Sequence, residues 1–218
     1  TGPRRRRSRS PRGRSPMLSE QVAQLRYEGD ETIEGERFEG ETAAGLDLSD
    51  LEFTDVVFSK CRFTDCRFSD TVFYRVRFED CDFSNCAFTD SRWKDCEMLD
   101  CKGLGADFRA SHWKGCTLRG CLLRLTNFSQ TLWDQCGLKD CDLNQSAWME
   151  CRLNRWTAGG CDLTGVSFFR TPLKGIDLSR CDIDGITVSE TFSELRGLTV
   201  GAHQTVGLAK LVGMKVED

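Results

Sequence analysis

The chain has 218 residues, with 34 Asp and Glu against 30 Lys and Arg, a net charge of -4 and a mean hydropathy of -0.42. No apolar run approaches the roughly 20 residues of a membrane span, and no signal-peptide pattern opens the chain, so we expect no membrane contact. There are only two histidines and no C-x-x-C or H-x-x-x-H pair, which argues against zinc. Phosphate-binding glycine loops and any nucleophile beside a base are also missing. We therefore expect neither an enzyme nor a cofactor.

Residues 1–16 contain seven arginines and no acid, with Ser, Pro and Gly making up most of the rest. Such a composition cannot build a core, so we expect a disordered Arg-rich extension. It is either a nucleic-acid-binding segment or a vector-derived tag. Without it the net charge is -11. We expect residues 17–30 to cap the repeat that follows them.

Residues 31–190 form a five-residue repeat. Of its 32 pentads, 29 have a large apolar residue at the centre, and the exceptions are Ala43, Gly103 and Ala158. All 13 cysteines lie two residues before the centre of a pentad, and 12 of those centres are large and apolar. Because so many free thiols belong in a reducing compartment, we expect a cytoplasmic protein.

A period of five matches neither the 3.6-residue α-helix nor the two-residue alternation of a strand. It does match a square coil in which each pentad forms one side, so that 20 residues make one turn and the repeat makes about eight coils. Residues 20 apart should then stack as in a parallel sheet. They are compatible, because one column is aromatic from Phe68 to Phe168 and another holds Trp93, Trp113 and Trp133 in succession.

The repeat resembles the pentapeptide-repeat family, as in Cys66-Arg67-Phe68-Ser69-Asp70 and Cys161-Asp162-Leu163-Thr164-Gly165. The resemblance implies an all-β fold, a right-handed quadrilateral parallel β-helix. The phase of the repeat never slips between Glu31 and Glu190, so we expect no loop insertions.

Seven aspartates flank the cysteines of one column and should lie along one corner of the coil. They are Asp80, Asp82, Asp100, Asp140, Asp142, Asp162 and Asp182. Duplex DNA carries one negative charge per roughly 1.7 Å of axis, so a rod with this acidic edge could occupy a groove made for DNA. The alternative is that Asp suits outward positions near turns and keeps the rod soluble.

Basic residues in the middle coils form a scattered positive belt, with Lys94 and Lys114 on one face and Arg119 and Lys139 on the next. The belt is either charge balance or a second contact zone.

The repeat lapses after Glu190, and we expect residues 191–218 to be a C-terminal cap and dimerisation tail. Residues 205–212 predict a short helix ended by Gly213, and Met214–Val216 could follow as a strand. The residues predicted to form the dimer contact are Leu208, Leu211, Val212 and Met214.

The tail resembles that of the topoisomerase-protecting branch of the family, which includes Qnr-type quinolone-resistance proteins, the mycobacterial fluoroquinolone-resistance protein and the microcin B17 and albicidin immunity proteins. The residues that carry this resemblance are Leu198-Thr199-Val200, Gln204, Leu208-Ala209, Leu211 and Gly213-Met214-Lys215-Val216. It implies a homodimer through the tail and an action on DNA gyrase or topoisomerase IV.

The sequence thus predicts a DNA-mimicking topoisomerase-binding protein that gives resistance or self-immunity to a topoisomerase poison. The alternative is a generic protein-interaction scaffold with no topoisomerase role. In either case we expect the folded rod itself not to bind DNA, because its negative charge repels the phosphates.

Overall fold

The computed structural model describes residues 17–217, and the predicted Arg-rich extension lies outside that range. The first element is helix α1, Leu18–Glu28, which ends at Gly29 in the left-handed conformation. Its apolar side, Leu18, Val22 and Leu25, is buried against the core of the following repeat. The backbone N–H of Leu18 donates to the Glu41 carboxylate at 2.9 Å. The helix thereby covers the first coil.

The repeat folds into a parallel β-solenoid with four faces, one pentad to a face. We number the faces in chain order, so that face 1 begins with residues 31–35, face 2 with 36–40, face 3 with 41–45 and face 4 with 46–50. Each strand pairs with the strand 20 residues further on, as Thr32 does with Glu52. All strands are three residues long, with the middle residue directed inward.

Faces 1 and 2 each carry a seven-stranded parallel sheet. The strands of face 1 are β1 Thr32–Glu34, β4 Glu52–Thr54, β7 Val72–Tyr74, β9 Arg92–Lys94, β11 His112–Lys114, β13 Leu132–Asp134 and β15 Arg152–Asn154. Those of face 2 are β2 Arg37–Glu39, β5 Val57–Ser59, β8 Arg77–Glu79, β10 Glu97–Leu99, β12 Thr117–Arg119, β14 Gly137–Lys139 and β16 Thr157–Gly159. Face 3 has one strand pair, β3 Thr42–Ala44 with β6 Arg62–Thr64.

On the rest of face 3 and on face 4, successive coils are joined by single parallel bridges between residues 20 apart, such as Asp142 with Asp162. The fold class predicted from the sequence is confirmed: the chain is an all-β parallel solenoid with a short C-terminal helix. The first and last of the seven strands in each sheet are about six turns apart, which is fewer than the eight coils predicted from the sequence. Face 1 ends after β15 because the next coil places Pro172 where Arg152 had donated its N–H to the carbonyl of Thr131, and proline has no N–H to donate.

The core is built from aromatic ladders. On face 1, Phe73 stacks on Trp93 at 3.9 Å between ring centroids, and Trp93 stacks on Trp113 at 4.4 Å. On face 4, Phe88 and Phe108 stack at 4.7 Å. The stacked columns expected from the spacing of 20 are therefore present. Such contacts add to the burial of the rings themselves.

Small polar residues two positions before Trp93, Trp113, Trp133 and Trp148 have a specific role, which Trp156 does not share. Trp93 donates its indole N–H to the Ser91 hydroxyl at 2.8 Å, and Trp133 does the same to Thr131. The serine or threonine thus satisfies a buried donor that would otherwise be unpaired. All 13 cysteines are also buried and free, as predicted.

Two exceptions in the repeat have a packing explanation. In the pentad 156–160 the large and small residues are exchanged: Trp156 is buried at the position that is usually small, and Ala158 occupies the centre. In the pentad 101–105 a Cβ on Gly103 would lie 2.5 Å from the ring of Phe83 and 2.8 Å from Leu123. Phe83 and Leu123 therefore fill the space, and Leu104 lies at the position after the centre, which the repeat directs outward.

The C-terminal segment closes the last coil. It contains two short 3₁₀ turns, Ser193–Leu195 and Ala202–Gln204, and helix α2, Thr205–Leu211. The predicted helix is present, but the suggested strand at Met214–Val216 is not formed. No neighbouring strand in the described chain pairs with these residues. No helix of residues 17–217 has the length and apolarity needed to cross a membrane.

Candidate functional site

The seven aspartates predicted to form an acidic edge do lie along the corner between faces 2 and 3, but in two parallel columns. Asp80, Asp100 and Asp140 occupy the corner itself, each with a positive φ of 50 to 52°. The other four, Asp82, Asp142, Asp162 and Asp182, lie two residues further on, at the bridged positions of face 3.

Neither column is continuously acidic. At the corner, Gly120 stands between Asp100 and Asp140, and Gly160 follows Asp140. On face 3 the bridges run from Asp82 through Lys102 and Leu122 to Asp142. The consecutive acidic rungs are therefore Asp142, Asp162 and Asp182. The seven aspartates therefore share one corner, but residues of other types separate them along each column.

The face 3 aspartates also make local hydrogen bonds. The carboxylate of Asp82 accepts from the Ser84 N–H at 3.1 Å, and that of Asp162 accepts from the Thr164 N–H at 2.8 Å. Partial burial opposes ionisation of Asp162, but the hydrogen bonds from Thr164 outweigh it, so the pKa of Asp162 lies below its usual value. These bonds stabilise each turn whatever the net charge does. They support the alternative that Asp is chosen here for turn geometry.

Most of the net negative charge lies at the other end of the rod from the tail. Residues 17–59 contain twelve Asp and Glu but only two Lys and Arg, whereas residues 60–218 contain 22 acidic and 21 basic residues. The excess of acidic residues therefore lies on helix α1, on the first coil and at the start of the second coil. The acidic character of the folded chain is therefore a property of its N-terminal end more than of one corner.

The predicted positive belt is present as neighbouring rungs. Lys94 lies in register with Lys114 on face 1, and Arg119 lies in register with Lys139 on face 2. The Lys94 ammonium lies 4.8 Å from the centre of the Tyr74 ring, which partly offsets its repulsion from Lys114. None of these four cations takes part in an ion pair within the described chain. The middle of the rod thus presents unpaired positive side chains, whereas its N-terminal end is acidic.

The four predicted dimerisation residues divide into two kinds. Leu208 and Leu211 are half-buried and pack against the core of the rod. Val212 and Met214 are exposed, at 38% and 62%, and Val206 on the same tail is exposed at 45%. The leucines hold the tail to the last coil, whereas the exposed group is free to meet another surface.

Two polar residues of the C-terminal cap, Gln204 and Glu194, are buried, which the sequence did not predict. Gln204 donates through Nε2 to the carbonyls of Leu178 at 2.9 Å and Cys181 at 2.6 Å, and accepts from the Gly201 N–H at 2.6 Å. Glu194 accepts from the Arg170 N–H at 2.8 Å and from the Ser189 hydroxyl at 2.8 Å. Both lie beyond the end of the repeat, where no periodicity marks an inward position.

No group of three or more His, Cys, Asp or Glu in residues 17–217 is arranged to hold a metal ion. Burial raises the pKa of the Cys151 thiol, and the hydrogen bond between Cys101 and Cys121 raises the pKa of Cys101 while it lowers that of Cys121. The surfaces described above are suited to binding a partner.

Comparison with models of known protein families agrees with this architecture. Family models match residues 53–97, as pentapeptide repeats in nine copies, and residues 91–168, as a pentapeptide repeat region. No curated protein sequence matches the chain. Among solved structures, a trypsin-treated form of QnrB1, a plasmid-mediated fluoroquinolone resistance protein, is 23% identical with a TM-score of 0.48, and the match covers 86% of this chain and 97% of that one. Full-length QnrB1 is 21% identical with a TM-score of 0.42, over 84% and 100% of the two chains. HetL from Nostoc, a pentapeptide-repeat protein involved in heterocyst differentiation regulation, is 10% identical with a TM-score of 0.27, over 84% and 92%.

Proposed function

Because the chain belongs to the pentapeptide-repeat family, we propose that it is a non-enzymatic protein that binds DNA gyrase or topoisomerase IV in place of DNA. By doing so it protects the enzyme from a poison such as a fluoroquinolone or a natural product. The observation that carries the proposal is an unbranched rod of net negative charge, with carboxylates on successive rungs at Asp142, Asp162 and Asp182. Rungs of a parallel sheet are about 4.8 Å apart.

The mechanism is competition or displacement. A topoisomerase groove that accepts duplex DNA must complement closely spaced negative charge. Stacked carboxylates present that charge on a scaffold that the enzyme cannot cleave or pass. The acidic residues of helix α1 and the first coil extend the same charge to the N-terminal end of the rod. Long-range attraction of this kind speeds association and weakens with added salt.

The same proposal includes a homodimer formed through the tail. Val206, Val212 and Met214 are exposed apolar side chains on one short segment. Leu208 and Leu211 anchor that segment to the last coil, so it presents the exposed group in a defined orientation. Pairing two tails would double the length of the acidic rod.

The second candidate is a protein-interaction scaffold with no topoisomerase role. It is favoured by the turn-forming hydrogen bonds of the face 3 aspartates, which give these residues a purely structural use. Under this reading the acidic rungs matter for folding and solubility alone.

A supercoiling assay with gyrase, in the presence and absence of a fluoroquinolone, separates the two. The test variant replaces Asp142, Asp162 and Asp182 by Asn, which keeps the oxygen that accepts each turn hydrogen bond and removes three charges. We expect it to fold normally and to need about tenfold more protein for the same protection, because charge complementarity is lost.

The control removes three carboxylate charges elsewhere, two of which, at Asp47 and Asp107, also pair with exposed arginines. Asp47, Asp107 and Asp177 each accept the N–H of the residue two positions on, in the same turn geometry but on other surfaces. Their replacement by Asn should leave protection unchanged. Equal loss in both variants would show that only net charge matters, and no protection by the parent chain would favour the scaffold.

A further inference from the structure

Face 1 is acidic on its first two rungs and basic on its middle rungs. Its outward side chains form two columns, one on each side of the inward residues. The first column runs Thr32, Glu52, Val72, Arg92 and His112, and the second runs Glu34, Thr54, Tyr74, Lys94 and Lys114. A shallow trough of about 650 Å³ follows these columns from Glu52 to Asn154. Every charged side chain in the two columns is exposed.

The basic rungs hold like charges in register. Arg92 lies beside His112, and Lys94 lies beside Lys114, on neighbouring strands. Like charges at paired positions destabilise a sheet. Within residues 17–217 none of these four side chains is in an ion pair. Such rungs are suited to a surface that brings carboxylates to them.

The same face of a second copy of the chain carries carboxylates at the matching distance. Let two copies dock face to face and antiparallel, with a two-fold axis along strand β7. Each rung before β7 then meets the rung that lies equally far after β7 in the other copy. Glu52 lies opposite Arg92 of the second copy, and Glu34 lies opposite its Lys114. Because the contact is symmetric, each of these opposite-charge pairs forms twice.

The centre of this contact is apolar and its rims are acidic. Val72 and Tyr74, both half-buried, lie on the axis and meet their own counterparts. The remaining pairs set threonines against His112 and Lys94, so neither column contains a like-charged pair. Corner aspartates oppose one another only along the rims, where solvent and salt screen their repulsion. They are Asp50, Asp70 and Asp90 on one side and Asp55 and Asp95 on the other.

Other arrangements on face 1 are less favourable. An axis along β9 would set Arg92 against Arg92 and Lys94 against Lys94. A parallel arrangement would exchange the two columns, which sets Arg92 against Lys94 and His112 against Lys114. A uniformly anionic partner such as duplex DNA would meet the carboxylates of the first two coils on the same face. The antiparallel arrangement about β7 is favoured because both columns then pair opposite charges.

We propose that face 1 is a self-association surface, through which two copies of the chain pair antiparallel about β7. The surface is separate from the tail and lies opposite face 3, so the acidic rungs of the proposed function stay exposed and the proposal does not depend on that function. Five rungs about 4.8 Å apart make a contact smaller than the roughly 1,200 Å² of stable complexes. We therefore expect it only at concentrations well above those at which the tails pair.

Sedimentation equilibrium up to about 1 mM protein, on the full chain with Val212→Ser and Met214→Ser, measures this association apart from the tail. Arg92→Glu sets two carboxylates opposite each other at both pairs, and Glu52→Arg does the same with guanidinium groups. Each should weaken association about tenfold or more, because like charges at a contact repel. The two substitutions together restore opposite charges, so association should return to within about threefold. The control, Arg62→Glu on face 3, makes the same change in charge and should alter association less than about twofold.

A cysteine on the axis tests the register directly. In the proposed pair, Val72 faces its own counterpart, so Val72→Cys should link two chains through a disulfide on mild oxidation. Leu132→Cys is the control, since Leu132 is equally half-buried in the same column but three rungs away. It should not link. The native cysteines are buried and do not compete.

The remaining outcomes would overturn the proposal. One is no association up to about 1 mM, and another is association that every charge variant leaves unchanged. A loss in both single variants that the double variant fails to reverse would show that the copies do not pair about β7. Reduced protection of gyrase by Arg92→Glu, with association unchanged, would make face 1 a topoisomerase contact instead. The cysteine pair decides the matter even where a charge variant is destabilised.

Discussion

Replacement of Gln204 by Ala tests how the C-terminal cap is held to the rod. The Gln204 side chain is 7% exposed and makes three hydrogen bonds to the backbone, two as donor and one as acceptor. Alanine leaves the carbonyls of Leu178 and Cys181 and the N–H of Gly201 without these partners. At about 1 kcal/mol for each lost bond, the free energy of unfolding should fall by about 3 kcal/mol.

For a chain of this size that loss corresponds to a melting temperature lower by about 6 to 12 °C. Calorimetry or chemical denaturation measures the loss of stability, and amide hydrogen exchange shows which part of the chain is destabilised. Because each coil of a solenoid contacts only its neighbours, faster exchange should be confined to the last coil and the tail, where the Cys181 N–H donates to the Leu178 carbonyl.

The control is Gln130→Ala. Gln130 is exposed, its amide reaches only Glu150 at 3.4 Å, and Ala110 holds the same backbone conformation one coil earlier. We expect its stability to stay within about 0.5 kcal/mol of the parent. If Gln204→Ala were equally neutral, the cap would be held by the apolar contacts of α2, and the hydrogen-bond argument would be refuted.

Four further predictions concern the core, the tail and pH. Titration with a polar maleimide at neutral pH should modify few thiols in the native chain and all 13 after denaturation, because all are buried; rapid native labelling of most thiols would contradict the inward assignment. Leu143→Asp places an unpaired charge at a fully buried position and should prevent soluble expression, whereas Leu143→Ile should fold. Serine at both Val212 and Met214 should give a folded monomer by light scattering, while deletion of residues 202–218 should give a monomer or aggregates; an unchanged dimer would place the interface elsewhere. Burial opposes ionisation of Glu194, but its hydrogen bonds outweigh burial and hold its pKa below the usual value. The ionised side chain therefore stabilises the fold above about pH 4.5, and that stabilisation is lost as the pH falls. Denaturation curves should show that acidification lowers the free energy of unfolding less in Glu194→Gln than in the parent.

Much of the fold follows from the sequence because the repeat is local and strict. A five-residue period assigns each side chain to the inside or the outside, and a coil of 20 residues then determines which residues stack. The ladder from Phe73 through Trp93 and Trp113 was predictable in this way, and it is present. The same spacing could have shown that Lys102 and Leu122 interrupt the acidic column, since both occupy it.

The tertiary structure alone decided what happens where the repeat fails. Gln204 and Glu194 lie beyond the last pentad, so only the path of the chain over the final coil brings them to buried carbonyls and N–H groups. The division of the tail into anchoring Leu208 and exposed Met214 depends on the same path. The five-residue period determines which side chains fill the interior of the coils. The structure of the ends depends instead on contacts between residues that the period does not relate to one another.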